Sequence, residues 1–250
     1  MPQAGTIIQS TQKFTPAYIK GITFYSEHPF RFNFIINPGD SALEGEAFKT
    51  EANKLIRYFL ASLTVPEKEQ WVNLSPQEPD RIIPEGFGTT DMGRDLLAQD
   101  YLLKQLTASL MHPEQDLGKT FWERVYNEAY QRYGTTQVPV NAFNKVWIVP
   151  QKAVVYEYNN TAFVVESRLR VLLEEEYLEG MGGEKGIKQV NGGAEITKEM
   201  IHQIILPAIE QEVNEGKNFA PLRQVYNAVI LATWYKRTFQ EGILGHLYMD

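Results

Sequence analysis

The sequence contains no cysteine, which excludes disulfide bonds, thiolate zinc sites, iron–sulfur ligation and cysteine nucleophiles. It also lacks a long hydrophobic run. The most apolar stretches, residues 204–209 and 229–232, fall far short of the roughly 20 residues that a membrane helix needs. The first residues have neither the basic nor the apolar region of a signal peptide. We therefore expect a soluble chain without a membrane span, with the cytoplasm as its default location.

Basic residues are in short supply. The chain carries 24 Lys and Arg against 31 Asp and Glu, which gives a net charge of -7. Nucleic-acid binding usually leaves a basic footprint, and the overall count shows none. A small basic group, Arg223 with Lys236 and Arg237, is too small to indicate it. The composition predicts no nucleic-acid partner.

Hydrophobic residues, at 43% of the chain, are sufficient for a sizeable core. In the first part, alternation and β-branched residues predict strands over residues 6–10, 18–25 and 30–36. Asn37-Pro38-Gly39-Asp40 predicts a turn. Apolar residues at three- and four-residue steps then predict an amphipathic helix over residues 41–63.

Later in the chain, three short runs rich in Val, Ile, Tyr and Phe predict an antiparallel β-meander over residues 145–149, 153–158 and 161–166. Pro150-Gln151 and Asn159-Asn160 separate the runs. Helical periodicity predicts helices over residues 92–110, 119–133, 168–179, 197–215 (kinked at Pro207) and 221–239. The fold class that follows is α+β, an antiparallel meander packed against several amphipathic helices.

We expect one continuous domain with an N-terminal lobe of strands and a helix, residues 1–65, and a main body, residues 66–250. The connection over residues 66–90 is too apolar for a disordered linker and is expected to lie extended across the body. The last long helix is apolar over more than half its circumference, which places it at the centre of the fold or beneath a partner. The chain ends directly after apolar residues, and we expect it to belong to a longer protein.

Three stretches carry a resemblance to a known family: TDMGRDLLAQDY at residues 90–101, PVNAFNKVWIVP at residues 139–150 and LRQVYN at residues 222–227. They resemble phrases in a family of large predicted proteins from uncultured bacteria, over roughly residues 70–250. That family has no established activity, so the resemblance implies no catalytic residue. It implies a bacterial origin and a longer parent protein.

No motif for a metal, a cofactor or a nucleophile stands out. The glycines of residues 86–93 precede a predicted helix but lack the G-x-G-x-x-G spacing, so a turn is expected there. The four histidines, His28, His112, His202 and His246, are not spaced as ligand pairs. The acidic run Glu174–Glu176 suits a solvated face, and the serines lie in no nucleophile motif. We expect no metal and no cofactor.

Aromatic side chains are the candidate binding residues. Helical spacing places four of them along one helix and two on the last long helix, namely Trp122, Tyr126, Tyr130, Tyr133, Trp234 and Tyr235. Such a ladder can stack on sugars or peptides. The alternative is a core role with hydroxyl groups at the rim.

Two functions follow. The first is a non-catalytic interaction or structural module of a larger bacterial protein or assembly, with protein as its partner, either a second copy or another subunit. The alternative is an acid/base enzyme, such as a hydrolase. Its site would be assembled from distant carboxylates, tyrosines and a histidine, with the glycine-rich residues 180–193 as a lid.

Overall fold

The computed structural model describes residues 13–64, 72–73, 89, 94, 116–138, 146–180 and 198–247. Its strands are β1 (Tyr18–Tyr25), β2 (His28–Asn37), β3 (Val72–Asn73), β4 (Val146–Tyr158) and β5 (Thr161–Leu173). Its α-helices are α1 (Gly45–Ser62), α2 (Asp116–Tyr133), α3 (Glu174–Gly180), α4 (Leu206–Glu215) and α5 (Ala220–Leu247). A π-helical segment, Ile201–Ile205, precedes α4, and a short 3₁₀ turn, Lys217–Phe219, follows it.

The five strands form one sheet in the order β2-β1-β5-β4-β3, and every neighbouring pair is antiparallel. This confirms the α+β class. The sheet joins the two parts of the chain that the sequence separates, because β1 pairs with β5. The predicted strand at residues 6–10, the connection over residues 66–90 (Val72, Asn73 and Thr89 apart) and, apart from Arg94, the helix at residues 92–110 lie outside the described residues.

Two predictions of local structure are wrong. The runs at residues 145–149 and 153–158 are a single strand, β4, because Pro150 and Gln151 are accommodated by a β-bulge rather than a turn. Residues 168–173 extend β5 and are not helical, so α3 begins only at Glu174. The turn at Asn159 is confirmed by its positive φ of 51°.

The core lies between one face of the sheet and the helices α1 and α5. Phe24 of β1 contacts Trp234 and Tyr235 of α5, with ring centroids 5.9 and 5.4 Å apart. Phe32 of β2 contacts Phe59 of α1 at 5.1 Å in an edge-to-face arrangement. The last long helix is therefore central to the fold: most of its first four turns are buried, and they pack on α1, β1, β5 and α4.

Helix α4 takes the place of a strand along part of β5. Beyond the three residues that pair with β1, the free edge of β5 meets side chains of α4. Asn214 accepts a hydrogen bond from the N–H of Leu169 (3.0 Å) and donates one to its carbonyl (2.8 Å). Glu210 accepts one from the N–H of Val171 (3.3 Å). Side chains of α4 thereby satisfy three main-chain groups of this edge, the N–H and carbonyl of Leu169 and the N–H of Val171.

The helix predicted over residues 197–215 is interrupted by the π-helical segment, where the N–H of Leu206 bonds to the carbonyl of Ile201, five residues earlier. Pro207 follows at the start of α4 and has no N–H to donate to the carbonyl of Gln203. Arg132 of α2 donates to that carbonyl instead, at 3.4 Å. Within the described ranges, no helix combines the length and apolar character needed to cross a membrane.

Candidate functional site

The two faces of the sheet differ in what covers them. On the inner face, Ile22, Phe24, Ala162 and Val164 are buried against the helices. Successive side chains of a strand alternate between faces, so their neighbours in sequence lie on the opposite side. We call that side the open face. Its apolar and aromatic members include Tyr25, Ile35, Val154, Tyr156, Tyr158, Phe163 and Val165. At the far end of β4, Trp147 of the same side stacks on Tyr177 of α3, with ring centroids 4.2 Å apart.

The strand register aligns the open face into two rows that cross four strands. One row runs from Ile35 through Gly21 and Phe163 to Tyr156. The other row is more polar and consists of Asn33, Thr23, Thr161 and Tyr158. Each side chain meets its cross-strand neighbours, so the rows form continuous strips.

The open face concentrates the exposed apolar side chains of the described structure. Among all described residues, eight large hydrophobic side chains are exposed. The open face holds six of them: Tyr25, Ile35, Val154, Tyr156, Tyr158 and Val165. Tyr156, Tyr158 and Val165 are exposed by 57%, 65% and 65%. Exposed apolar residues scattered singly need no explanation, whereas a contiguous group on one face marks an interaction surface.

A glycine shapes the middle of the first row. A Cβ atom at Gly21 would lie 2.7 Å from Cδ1 of Phe163 and 2.7 Å from the carbonyl oxygen of Ala162. The ring of Phe163 therefore lies over the β1 backbone, in space that a larger residue at position 21 would fill. This arrangement leaves Phe163 half-buried and the flanking Tyr156 and Ile35 exposed.

Polar contacts fix the rim of the open face. The hydroxyl groups of Thr23 and Thr161 are hydrogen-bonded at 2.9 Å. Asn33 donates to the hydroxyl of Tyr25 at 2.6 Å, and the guanidinium of Arg31 lies 5.1 Å from the centre of the same ring. The ring of Tyr25 is thus held in place by two neighbours on β2.

The six aromatic residues that the sequence proposed for binding do not form one surface. Trp122, Trp234 and Tyr235 are buried in the core. Burial raises the pKa of Tyr235, whose hydroxyl donates to the carbonyl of Pro29 at 2.9 Å. Tyr126 and Tyr133 are half-buried, and only Tyr130 is well exposed, at 63%.

The basic group on the last helix is also engaged in the fold. Arg223 donates to the carbonyl oxygens of Phe14 (2.7 Å), Val213 (2.8 Å) and Gly216 (2.8 Å). Burial lowers its pKa to about 10, a shift that the nearby Glu212 and Glu215 oppose. Lys236 donates to the carbonyl of Ser62 at the end of α1 (3.3 Å).

One histidine meets a carboxylate. His202, on the π-helical segment, has its Nδ1 atom 3.5 Å from Oε1 of Glu176. The other carboxylate oxygen of Glu176 accepts the N–H of Leu173 at 3.1 Å and so caps the start of α3. Nearby, Gln203 donates to Glu199 at 2.9 Å. In the part of the chain that the structure describes, no three His, Asp or Glu side chains are placed to hold a metal ion.

The remaining enzyme candidates lack a shared cavity in the described residues. An open depression of about 490 Å³ is lined by Glu27, His28, Pro29, Phe30 and Arg31, at the turn between β1 and β2. His28 is far in the fold from the pair formed by Glu176 and His202, which lies beyond the opposite end of β5. The rest of the predicted lid after Gly180, His112 and the glycines of residues 86–93 fall outside the described residues.

Sequence reasoning placed Tyr156 and Tyr158 on a strand but did not single them out. The available signal was the alternation of Val154, Tyr156 and Tyr158 around Val155, which packs on the core. Comparisons with protein-family models, curated proteins and solved structures each return no match. The fold and the site define a class only: an α+β domain with exposed aromatic side chains gathered on one face of the described sheet.

Proposed function

We propose that this chain is a non-catalytic interaction module of a larger protein or assembly, and that the open face is its binding surface. The observation that carries the proposal is the gathering of Tyr156, Tyr158, Val165 and Ile35 on one face of four hydrogen-bonded strands. Large exposed apolar groups of this kind are costly in water unless a partner covers them.

The chemistry of the face favours protein as the partner. Tyrosine and aliphatic side chains dominate it, and tyrosine is enriched at the centres of protein interfaces. The face is built from four adjacent strands, whereas small molecules bind in concave pockets that enclose most of their surface. Charged groups such as Arg31 and the Lys152–Glu166 ion pair (2.6 Å) lie beside the rings, as in the polar rim of an interface.

The test is a double substitution, Tyr156→Ser with Tyr158→Ser, compared with Tyr130→Ser. Tyr130 is equally exposed but lies on α2, away from the sheet. Tagged chain is expected to form a stoichiometric complex in the organism that encodes it. The double substitution should weaken that complex at least tenfold, on the order of 1 kcal/mol or more for each ring. The proposal fails if Tyr130→Ser disrupts the complex and the double substitution does not.

A second candidate function is acid/base catalysis at His202, and one observation favours it. His202 lies on a π-helical segment, a feature frequent at functional sites, and its Nδ1 atom is 3.5 Å from a carboxylate oxygen of Glu176 on α3. A panel of p-nitrophenyl esters, phosphates and glycosides tests this function. Turnover that disappears in His202→Gln, with folding retained, would support catalysis, and an inactive wild-type chain across the panel would argue against it.

A further inference from the structure

The outer edge of β4 is the edge that faces away from β5. Among the described residues, β3 pairs there with only Ile148 and Trp147. β4 continues for ten more residues, and Pro150–Tyr158 are exposed apart from the half-buried Val155. Its last part, AVVYEY at residues 153–158, is rich in β-branched and aromatic residues. An apolar edge of this kind is a template for a further strand.

The register shows which main-chain groups point outward along this edge. The N–H groups of Leu169 and Val171 point away from β4, towards α4. In an antiparallel pair the main-chain groups of directly opposite residues point the same way relative to the pair, either both inward or both outward. The main-chain groups of their partners on β4, Pro150 and Ile148, therefore point away from β5. After the bulge at Gln151 the alternation continues to Tyr158, which closes the two-residue turn with Thr161. The outward groups after the bulge are therefore those of Ala153, Val155 and Glu157.

The free edge of β5 offers a direct contrast. There Asn214 of α4 hydrogen-bonds to both the N–H and the carbonyl of Leu169. Glu210 of α4 accepts a hydrogen bond from the N–H of Val171. In the described structure, no side chain is recorded as bonding to the outward groups of Ala153, Val155 or Glu157. Among the described residues, one long edge of this sheet is capped by a helix, and the other presents a strand-like ladder of donors and acceptors.

We propose that two copies of this chain pair through their β4 strands, antiparallel about a two-fold axis at Val155. In this register Ala153 lies opposite the partner's Glu157, and Val155 lies opposite the partner's Val155. The three pairs exchange about six main-chain hydrogen bonds, two for each pair. Shifting the strands by two residues loses one of these pairs, so this register uses the outward groups most fully.

Side chains on the open face agree with the same register. Val154 lies opposite the partner's Tyr156, and Lys152 lies opposite the partner's Tyr158. Aromatic and β-branched cross-strand pairs are stabilising, and no like charges face each other directly. The pairing joins the sheets of the two copies into one, and the two-fold axis pairs the outer β4 edge of each copy with that of the other. It goes beyond the proposed function, because it uses the edge of a strand and leaves most of the open face available.

The test removes the outward N–H groups without changing the open face. Ala153→Pro with Glu157→Pro takes away two of three outward donors in each copy, and proline is tolerated at such edge positions, as Pro150 shows in the same strand. The matched control, Ala153→Ser with Glu157→Gln, keeps both N–H groups. Sedimentation equilibrium measures dimerisation, and circular dichroism verifies that each variant is folded.

The wild-type chain and the control are expected to be dimers. The proline variant loses about four main-chain hydrogen bonds per dimer and should dimerise at least tenfold more weakly, since each bond is worth roughly a factor of two or more. A wild-type chain that stays monomeric at 100 µM, on the order of the concentrations used in sedimentation, overturns the pairing. So does a proline variant that dimerises as well as the control. The proline variant keeps Tyr156 and Tyr158. A complex with a different protein that survives in this variant and is lost on replacing the two tyrosines therefore reports on the open face alone.

Discussion

Side chains of α4 bond to the edge of β5 where another strand could pair, so substitution of Asn214 on α4 should destabilise the fold. Its amide accepts from the N–H of Leu169 at 3.0 Å, donates to the carbonyl of Leu169 at 2.8 Å and donates to the carbonyl of Glu210 at 2.9 Å. Leu169 is only 2% exposed, so water does not readily replace these bonds. Truncation to alanine therefore leaves a buried donor and a buried acceptor without partners.

The expected cost of Asn214→Ala is about 2–4 kcal/mol in the free energy of unfolding. Each net hydrogen bond contributes about 0.5–1.5 kcal/mol, and a buried unsatisfied group costs about 1–3 kcal/mol. Urea unfolding followed by circular dichroism measures the loss. Hydrogen exchange at the amide of Leu169 should accelerate in the same variant, because that amide loses its acceptor.

Asn127→Ala is the matched control. Asn127 donates to the carbonyl of Glu123 at 2.8 Å on the exposed side of α2, and its loss should cost less than about 0.5 kcal/mol. If Asn214→Ala is as mild as Asn127→Ala, and the amide of Leu169 stays protected from exchange, then α4 does not hold the edge of β5 and the reasoning is refuted.

Three further changes test other parts of the structure. Gly21→Ala should destabilise the fold by about 1–3 kcal/mol in urea unfolding, because the added methyl group meets Phe163 and the strand backbone. Arg223→Lys should cost about 2–4 kcal/mol, because a compact ammonium group cannot place its donors where the planar guanidinium meets three carbonyl oxygens, including that of Phe14. Burial raises the pKa of Tyr226 to about 12 from 10, so the stability it gives is complete below pH 10 and is lost as the pH rises to 12. Tyr226→Phe should therefore lose less stability than the wild-type chain across that range.

Each of these changes has an outcome that would contradict it. A Gly21→Ala chain as stable as the wild type would mean that Phe163 does not lie over the backbone of β1. An Arg223→Lys chain as stable as the wild type would mean that an ammonium group can replace the guanidinium at these three carbonyl oxygens. For Tyr226→Phe, Arg223 also titrates in this range, but it does so in both proteins and cancels in the comparison. Identical stability curves from pH 9 to 12, roughly the span of the shift, would rule out a buried phenol.

Local signals in the sequence predict the first strands well. The bounds of β1 match residues 18–25, and Gly39, with a φ of +57°, occupies the predicted turn. The prediction fails at residues 168–173, where Leu169, Leu172 and Leu173 also fit helical spacing. In the structure, exposed Arg168 and Arg170 alternate with buried Leu169 and Val171, which is the period of two of a strand. A window of six residues is too short to separate this alternation from helical spacing.

Pro150 misled the prediction for a different reason. Proline breaks a central strand because it has no N–H, but at an edge, where that group would point outward, it is tolerated. Whether β4 is an edge strand depends on its pairing with β3 and β5, which are distant in sequence. The pattern of one segment cannot contain this information.

The site itself could not be derived from the sequence for the same reason. Tyr156 and Trp234 are both large aromatic residues on regular elements, yet one is 57% exposed and the other 7%. Their difference arises from the layers of the fold, since α5 covers the inner face of the sheet and meets Phe24. Helical spacing alone favoured the aromatic residues of α2 and α5, most of which the structure places in or against the core.

The central claim is that the open face binds the partner, and cysteine labelling tests it most directly. Because the chain contains no cysteine, a single introduced cysteine is the only thiol that reacts. Val165→Cys on the open face and Tyr130→Cys on α2 replace residues of nearly equal exposure, 65% and 63%. In the complex with its natural partner, maleimide labelling at position 165 should slow at least tenfold, on the order of the protection that a buried interface gives. Labelling at position 130 should be unchanged. Equal labelling at position 165 in the free and bound chain would contradict the account.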